Sequence, residues 1–450
     1  MPTLEWIGKS KVINHHQEVP FRVLERKYSF DESGQHNEDN GSENMIIRGD
    51  NLEALKALLP RYEGRIKCIY IDPPYNTGNE GWVYNDNVND PKIKKWLGEV
   101  VGKEGEDLTR HDKWLCMMYP RLKLLQKLLA DDGVIFISID DTECSNLILI
   151  CNEIFGASNF VANVSWQRTY SPRNDSKGIV SEVEHLVVFS KNPGWQPNKL
   201  PRTEAMDSRY KNPDNDVAPW KSSDAFAPGA ATHQGMVYAI QHPFTGEMLY
   251  PSNGRCWRYQ QSSMLEYMQG WCNYRLENLH DEKERARVCG IDESAVRKDV
   301  LAIVLEEPLE VSAAKAQKVY NRGRWPGFYF TKGGYGGIAR KTYLENVGGR
   351  LPTNLWMYEE TGHTDEAKKE LISLFGGRSP FDTPKPTRLL DFVLKVAGTS
   401  ETLMLDSFAG SGTTAHAVLN ANKADNGNRH FILIEMMDYA DSITAERVKR

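Results

Sequence analysis

The sequence predicts an α/β protein with one doubly wound domain that an inserted region divides in the chain. Short apolar strands alternate with amphipathic helices up to about residue 191 and again after about residue 353. This alternation is typical of βαβ units and a parallel sheet. The intervening region is rich in Pro, Gly, Trp and Tyr and lacks the alternation. At 450 residues, the chain is also longer than one typical compact domain.

In the first part of the chain, up to residue 191, predicted strands and helices follow one another in regular order. Residues 1–44 form an N-terminal extension whose acidic, polar part at 27–44 predicts a mobile segment. Residues 45–48 predict a strand, 49–51 a turn, and a leucine stripe over 52–59 a helix. A buried strand over 65–71 must end at the sequence DPPY, because consecutive prolines remove backbone donors from a sheet. A helix over 114–129 and strands over 134–138 and 184–189 complete residues 45–191.

The inserted region, residues 192–353, shows one helical run at 293–306. Regular alternation resumes in residues 354–450. A helical stripe over 389–396, a strand over 402–405, a glycine-rich turn, a helix from Thr413 and a strand over 430–434 follow one another. We therefore expect the segments 45–191 and 354–450 to form one domain.

Composition places the chain among ordinary globular proteins, with 40% hydrophobic residues, 26% charged residues and a net charge of −6. No segment approaches the roughly 20 apolar residues of a membrane span, and the N-terminus lacks the pattern of a secretory signal. The seven cysteines are odd in number and form no C-x-x-C pair. We therefore expect a cytoplasmic protein with reduced thiols, no metal site and no membrane association.

Residues 311–344 contain no acidic residue, and their basic side chains are interleaved with aromatic ones. This composition is typical of a surface that follows a polyanion and stacks on bases. A solvated basic face with core aromatics is an equally good interpretation of this stretch alone. The candidate nucleic-acid contacts are Lys315, Lys318, Arg322, Arg324 and Lys332.

The first chemical motif, DSFAGSGTT at 406–414, lies between a predicted strand and a helix. Glycines allow close backbone approach to a ligand at a helix N-terminus. Glu435, at the end of the next strand, can accept hydrogen bonds from ribose hydroxyls. Spacing alone also permits a nicotinamide or flavin site. The loop lacks the third glycine of G-x-G-x-x-G and a Walker-type lysine, which disfavours pyrophosphate binding.

The second motif, DPPY at 72–75, lies at the carboxyl end of a predicted parallel strand, where such sheets bind ligands. The amino nitrogen of adenine is a poor nucleophile because its lone pair is conjugated into the ring. The Asp72 carboxylate and the Pro73 carbonyl can accept its N–H groups and direct the lone pair at a methyl sulfonium, while Pro74 stiffens the motif. Tyr75 offers a face for base stacking. The alternative is a strand-ending turn with a helix-capping aspartate.

These two motifs resemble those of the amino-group DNA methyltransferases. The order, with DPPY first, a recognition region next and FAGSGTT last, is that of the family's β arrangement. The segments IDPPYNTGNEGWVYNDN, HDKWLCMMYPRL, DDGVIFISIDD and TPKPTRLL are similar to the modification subunits of type III restriction systems, as are YKNPDNDVAPW and GRCWRYQQ in the inserted region.

The resemblance implies a circularly permuted, Rossmann-like methyltransferase fold that uses S-adenosylmethionine, with target recognition in 192–353. It implies methylation of the N6-amino group of adenine in double-stranded DNA within a restriction-modification system, after the base is flipped out of the duplex. It also suggests a helicase-nuclease restriction subunit as partner, and a homodimer. Carried over onto matching positions, the catalytic residues are Asp72, Pro73, Pro74 and Tyr75. The cofactor-binding residues are Asp50, Lys385, Asp406, Phe408, Gly410, Ser411, Gly412, Thr413 and Glu435.

The permutation explains why the chain ends at Arg450, inside the helix that should precede a third strand. Residues 45–48 would supply that strand, and Asp50 would then contact the cofactor adenine; Asp50 is alternatively only a helix cap. The C-terminus is short compared with family members, which we expect to continue past this point.

Several rival functions remain open at this stage. Within the family they are an N4-cytosine methyltransferase and a solitary adenine methyltransferase; an aspartate at position 72, rather than a serine, favours adenine. Outside it they are an RNA or protein methyltransferase, a Rossmann oxidoreductase and a catalytically silent DNA-binding subunit.

Overall fold

The computed structural model describes residues 3–77, 91–102, 109–171 and 178–450, with the side chains of the second range described from residue 95. The chain divides into two compact units. The first, which we call the sheet unit, comprises Met1–Leu200 and Leu351–Arg450, and the second, the inserted unit, comprises Pro201–Arg350.

The strands of the described residues are, in chain order, β1 (Ser29–Asp31), β2 (Gly34–His36), β3 (Met45–Arg48), β4 (Ile66–Ile71), β5 (Leu129–Ile139), β6 (Phe160–Gln167), β7 (Val183–Ser190), β8 (Trp220–Asp224), β9 (Phe226–Pro228), β10 (Ile240–Gln241), β11 (Met248–Leu249), β12 (Arg255–Trp257), β13 (Tyr274–Glu277), β14 (Ala302–Leu305), β15 (Phe328–Phe330), β16 (Ile338–Tyr343), β17 (Leu355–Trp356), β18 (Leu403–Asp406) and β19 (His430–Glu435).

The helices are α1 (Lys9–Val12), α2 (His15–Glu18), α3 (Asn51–Tyr62), α4 (Pro91–Val100), α5 (Arg110–Leu128), α6 (Cys144–Phe155), α7 (Glu204–Asp207), α8 (Gln261–Gln269), α9 (Glu282–Cys289), α10 (Leu309–Arg322), α11 (Tyr358–Thr361), α12 (Thr364–Leu374), α13 (Thr387–Ala397), α14 (Thr413–Asp425) and α15 (Glu446–Lys449).

The sheet unit is built, within the described residues, on eight strands in the order β17-β6-β7-β5-β4-β18-β19-β3. Neighbouring strands are parallel, except that β7 is antiparallel to both β5 and β6. Strand β3 lies beside β19, with Met45 opposite Ile432 and Arg48 opposite Glu435. The N-terminal strand therefore has the neighbour that the sequence predicted for it, and the circular permutation itself stays an interpretation.

Alternate residues of the central strands point into two apolar layers. On β4, Ile69 and Ile71 pack with α3, α5 and α6, whereas Cys68 and Tyr70 pack with α13 and α14 on the opposite face. Because both faces are covered, the strand carries a nearly continuous apolar run. This two-sided burial is the doubly wound α/β architecture that the alternation of elements predicted.

Chain direction across the sheet reverses between β4 and β18. From β4 the chain proceeds to β5 on one side, and from β18 it proceeds to β19 on the other. Ligands of open α/β sheets bind outside the carboxyl ends of the strands at such a switch point. Asp72 directly follows β4 and Asp406 ends β18, so the fold brings the two sequence motifs together there.

The inserted unit contains three small sheets, with strand orders β11-β10-β14-β13, β15-β16-β8 and β12-β9. Its largest core cluster is rich in aromatic side chains. Within it, the ammonium group of Lys341 is fully buried and contacts the carboxylates of Asp214 and Asp216. This ion cluster ties the segment before β8 to β16.

Two expectations about local structure were wrong. The predicted helix at 293–306 is a short 3₁₀ turn, Glu293–Ala295, followed by β14, because β14 is wholly buried between β10 and β13 and sheet packing overrides helix propensity. The helix of this region is α10, which begins after Pro308. The segment 27–44 contains the hairpin of β1 and β2, and its expected mobility stays a prediction. Strand β7 departs from an all-parallel sheet.

Among the described residues, no helix combines the length and apolarity needed to cross a bilayer. All seven cysteines are buried free thiols.

Candidate active site

The backbone of the DPPY motif is held by two helices. The indole Nε1 of Trp114, on α5, donates to the Pro74 carbonyl at 2.6 Å. Asn76 adopts a left-handed φ of 61° and donates its amide to the carbonyl of Arg110 at 3.2 Å and to the buried carboxylate of Glu143. Because Trp114 occupies the Pro74 carbonyl, Pro73 is the proline whose carbonyl we expect to serve a substrate.

The Asp72 carboxylate is buried and faces a lysine. Lys385 Nζ lies 2.8 Å from its Oδ1 and 2.9 Å from its Oδ2, and the hydroxyl of Tyr75 donates to Oδ1 at 2.9 Å. Burial raises the pKa of the Asp72 carboxyl, and the ammonium of Lys385 opposes that rise. Lys385 was predicted to bind the cofactor; the structure places its ammonium against the Asp72 carboxylate.

A second buried carboxylate, Glu184 at the start of β7, completes this group. It accepts a hydrogen bond from Arg168 at 2.9 Å, lies 3.0 Å from the hydroxyl of Tyr75, and lies 3.5 Å from Lys385 Nζ. Burial raises its pKa, but the charges of Lys385 and Arg168 outweigh that effect and leave the pKa below the ordinary value. Sequence analysis missed Glu184; its only signal was an acidic residue leading an apolar strand.

The glycine loop after β18 has the backbone conformation that only glycine adopts freely. Gly410 has φ 51° and Gly412 has φ 80°, and a Cβ on Gly412 would lie 3.0 Å from the Thr444 carbonyl. Glu435 holds this loop, since its Oε2 accepts the N–H of Gly410 at 2.8 Å and its Oε1 that of Met437 at 2.9 Å. A carboxylate can accept further bonds, so the predicted ribose contact stays a prediction.

Asp406 shapes the same loop from the end of β18. Its Oδ1 accepts the N–H of Phe408 at 3.0 Å and its Oδ2 accepts the hydroxyl of Thr414 at 2.6 Å. Burial raises the pKa of the Asp406 carboxyl to about 7. The next residue, Ser407, has a buried hydroxyl with no hydrogen-bond partner among the described residues. The loop therefore combines glycine-dependent turns with a buried hydroxyl that can bind a ligand.

Two other loop residues contact an arginine that sequence analysis did not identify. Arg447, on α15, donates to the hydroxyl of Ser411 at 2.9 Å and to that of Thr413 at 2.8 Å. The same guanidinium contacts Glu370 on α12 and Thr387 on α13, both at 3.1 Å. Ser411 and Thr413 are thus tied to the surrounding helices, and their predicted cofactor contacts stay predictions.

Asp50 is the cap of α3. Its Oδ1 accepts the N–H groups of Leu52 at 2.8 Å and Glu53 at 3.2 Å, which is the alternative role that the sequence left open. A contact with cofactor adenine stays a prediction. Four acidic residues nevertheless follow or end four successive parallel strands, at the carboxyl ends of β4, β18, β19 and β3: Asp72, Asp406, Glu435 and Asp50.

Asp72 of the DPPY motif and the glycine loop line one cleft that opens to solvent at the switch point. The lining suits a nucleoside that carries a positive charge. The buried carboxylates can accept its hydrogen bonds, the glycine loop allows close approach of the backbone, and the ring of Phe408 offers an apolar face. The lining residues are Tyr70, Asp72, Phe381, Thr383, Pro384, Lys385, Asp406, Phe408, Ala409, Gly410, Ser411, Thr413 and Thr414.

The candidate nucleic-acid contacts of the inserted unit differ in exposure. Lys318, Arg322, Arg324 and Lys332 are exposed, whereas the ammonium of Lys315 is paired with Glu307. Of the two interpretations that the sequence left open for the aromatic side chains of this stretch, core packing holds for all three residues of β15, whose rings are buried.

The family model for DNA methylases matches residues 66–446, which include both motifs and the cleft between them. The chain belongs to this DNA methylase family. Members of the family use S-adenosylmethionine, and the cleft described above fits that cofactor in its charge and hydrogen-bonding groups.

Among curated DNA methylase relatives, the StyLTI Mod subunit of a type III restriction-modification enzyme from Salmonella typhimurium is 33% identical, over 88% of this chain and 53% of that protein. The EcoPI Mod subunit of Escherichia phage P1 is 30% identical, over 96% of this chain and 63% of that protein. The type II methyltransferase M.KpnI of Klebsiella pneumoniae is 28% identical, over 88% and 81%. The chain thus spans between half and two thirds of these type III subunits.

Proposed function

We propose that this DNA methylase transfers the methyl group of S-adenosylmethionine to the N6-amino group of adenine in double-stranded DNA, as the modification component of a restriction-modification system. The observation that carries the proposal is the shared cleft, in which the carboxylate of the DPPY motif and the glycine loop face each other. The Mod subunits among the relatives support the restriction-modification context.

The chemistry follows from the positions of the chain's own groups. The cofactor, when bound, supplies an electrophilic methyl group. Asp72 and the Pro73 carbonyl accept the two N–H groups of the target and direct its nitrogen lone pair toward that methyl group. The Trp114 and Asn76 contacts keep these acceptors fixed, so that little reorganisation is needed during transfer.

The target amino group of a duplex is hidden in a base pair, so we propose that the base is flipped into the cleft. The exposed residues Lys318, Arg322, Arg324 and Lys332 would bind phosphates. An aspartate as the acceptor favours adenine over cytosine as the methylated base. Identification of the methylated nucleoside decides between them.

The test compares the wild-type protein with Asp72→Ala and Asp72→Asn in a methyl-transfer assay on duplex DNA, followed by mass spectrometry of the nucleosides. We expect N6-methyladenine from the wild type. Both variants should lose activity by orders of magnitude while equilibrium dialysis shows cofactor binding retained. Asp131→Ala, at an exposed site on β5, is the control and should be fully active.

Near-normal turnover of both Asp72 variants would refute the catalytic role of Asp72. N4-methylcytosine as the product would refute the adenine assignment, and preferential methylation of RNA would refute DNA as the substrate.

We further propose a helicase-nuclease restriction subunit as partner and a homodimeric state. The support is the similarity to type III Mod subunits. Light scattering of the purified chain measures the mass directly, and a monomer at micromolar concentration would refute the homodimer. Coupled ATP-dependent DNA cleavage on addition of a type III restriction subunit tests the partner, and no association with such a subunit would refute it.

A further inference from the structure

Glu184 is a buried acid that the proposed reaction does not use. It lies on β7, with its side chain 8% exposed, and shares both Lys385 and Tyr75 with Asp72. The Asp72 carboxylate is similarly buried, at 10% exposure. Two neighbouring carboxyl groups each disfavour the ionisation of the other. Two ionised carboxylates in this buried place therefore require nearby positive charge.

The balance comes from two cations. Lys385 lies between the carboxylates of Asp72 and Glu184, and Arg168 contacts the outer oxygen of Glu184. Two negative and two positive charges therefore neutralise one another. The hydroxyl of Tyr75 has one proton but lies within 3.0 Å of both carboxylates, so it can donate to either.

Substrate binding competes with this arrangement. In this structure Lys385 donates to both oxygens of Asp72, and Tyr75 lies within hydrogen-bond distance of one of them. An amino group that donates to Asp72 competes with these donors for the lone pairs of the carboxylate. A displaced ammonium left without a partner in this buried place would be costly, but Glu184 is only 3.5 Å away from it.

We propose that Glu184 is a positioning residue, which takes over Lys385 when the target amino group replaces that lysine on Asp72. In this role Glu184 touches neither substrate nor cofactor. It lets Asp72 exchange one hydrogen-bond donor for another without leaving a buried charge unpaired. The inference rests on the proposed methyltransferase function, because the incoming donor is the substrate's amino group.

The pH dependence of the reaction distinguishes this role from a structural one. Asp72 must be ionised for both of its oxygens to accept hydrogen bonds. Lys385 lowers the pKa of Asp72 and Glu184 raises it. Loss of Lys385 should therefore shift the acidic limb of the rate profile to higher pH, and loss of Glu184 should shift it to lower pH. The other titratable groups facing this cluster are Tyr75, Tyr70, Asp406 and Arg168.

The experiment measures kcat, the KM for DNA and the pH profile of Glu184→Gln, Glu184→Asp, Lys385→Met and the Glu184→Gln/Lys385→Met double variant. Glu184→Gln should lower kcat by about tenfold to a hundredfold with little change in KM, because reacting groups that are misplaced lose rate on that scale. Glu184→Asp should recover part of the loss. The matched control is Glu182→Gln, two residues earlier, which should behave as wild type.

A second measurement does not depend on activity. Urea unfolding of the two single variants and the double variant gives the coupling between Glu184 and Lys385, and we expect the double variant to lose less stability than the sum of the single losses. A wild-type protein without methyltransferase activity would refute the proposed function, while this coupling would still report the contact. Additive stability losses, a Glu184→Gln kcat within twofold of wild type, or acidic limbs that shift in the same direction would overturn the positioning role.

Discussion

The side-chain amide of Asn51 donates to the main-chain carbonyl of Ser407 at 3.1 Å, which joins the turn after β3 to the glycine loop 356 residues later. The Oδ1 of Asn51 accepts a hydrogen bond from Nε of the buried Arg121 at 2.5 Å. Asn51 is itself 2% exposed. The start of α3 therefore supports the glycine loop directly, in addition to the pairing of β3 with β19.

We expect Asn51→Ala to weaken the binding of S-adenosylmethionine, because the Ser407 carbonyl loses its side-chain partner and the loop is less well fixed. The free energy of unfolding should fall by about 1–3 kcal/mol, since a buried arginine nitrogen is left without this acceptor. Titration calorimetry and urea unfolding measure the two effects. Asn321→Ala, at an exposed site on α10, is the control. An unchanged cofactor affinity would show that the Asn51 contact does not support the loop.

The sequence predicted the parts of the site that are local in the chain. Asp72, Asp406 and Glu435 all stand at the ends of strands whose apolar runs are visible in the sequence, so the fold class and the position of both motifs at strand ends followed from them. Glu184 and Arg447 were missed because their importance comes from contacts with residues far away in the chain, which periodicity does not report.

The same limit explains the errors in the inserted unit. Strand β14 has four buried residues between two partners, and the periodicity of so short an apolar run, AIVL, does not tell a strand from a buried helix. Only the surrounding sheet decides between them. Lys341 belongs to a basic stretch but is buried against Asp214 and Asp216, which lie more than a hundred residues earlier.

The Trp114→Phe variant tests whether Trp114 supports the DPPY motif specifically or only stabilises the fold. It keeps most of the ring volume but removes the donor of the 2.6 Å bond to Pro74, and we expect a loss of about 1–3 kcal/mol in unfolding free energy. It should also lower kcat with cofactor affinity unchanged, because the DPPY backbone is less well fixed. Trp166→Phe is the matched control: its buried indole donates to the Gly362 carbonyl at 3.1 Å. A similar fall in kcat for both variants would contradict the specific role of Trp114.

Asp406 should make stability depend on pH. Burial raises its pKa to about 7 in the folded protein, above the unfolded value of about 3.9. Folding therefore takes up a proton between these values, and its contribution to stability falls as pH rises through this window. Asp406→Asn removes this titration. The free energy of unfolding of the variant, relative to that of the wild type, should therefore rise between pH 4 and 8, by at most about 4 kcal/mol. Urea unfolding across this range measures the difference, and a constant difference would contradict the raised pKa.

The exposed basic residues of the inserted unit should determine the salt dependence of DNA binding. Replacing Arg322, Arg324 and Lys332 together by alanine removes up to three phosphate contacts. Each contact contributes about 0.9 to the slope of log affinity against log salt concentration, so we expect the slope to decrease by about 2–3. Fluorescence anisotropy with a labelled duplex at several salt concentrations measures it.

Lys315→Ala is the internal comparison for that experiment. The ammonium of Lys315 is already paired with Glu307, so its removal should change the slope by less than the loss of one exposed cation. Cofactor binding serves as the control, because the four substitutions lie in the inserted unit and the cleft lies in the sheet unit. An unchanged slope for the triple variant would mean that the phosphate-binding surface lies elsewhere, and a large effect of Lys315→Ala would mean that DNA displaces Glu307 from its partner.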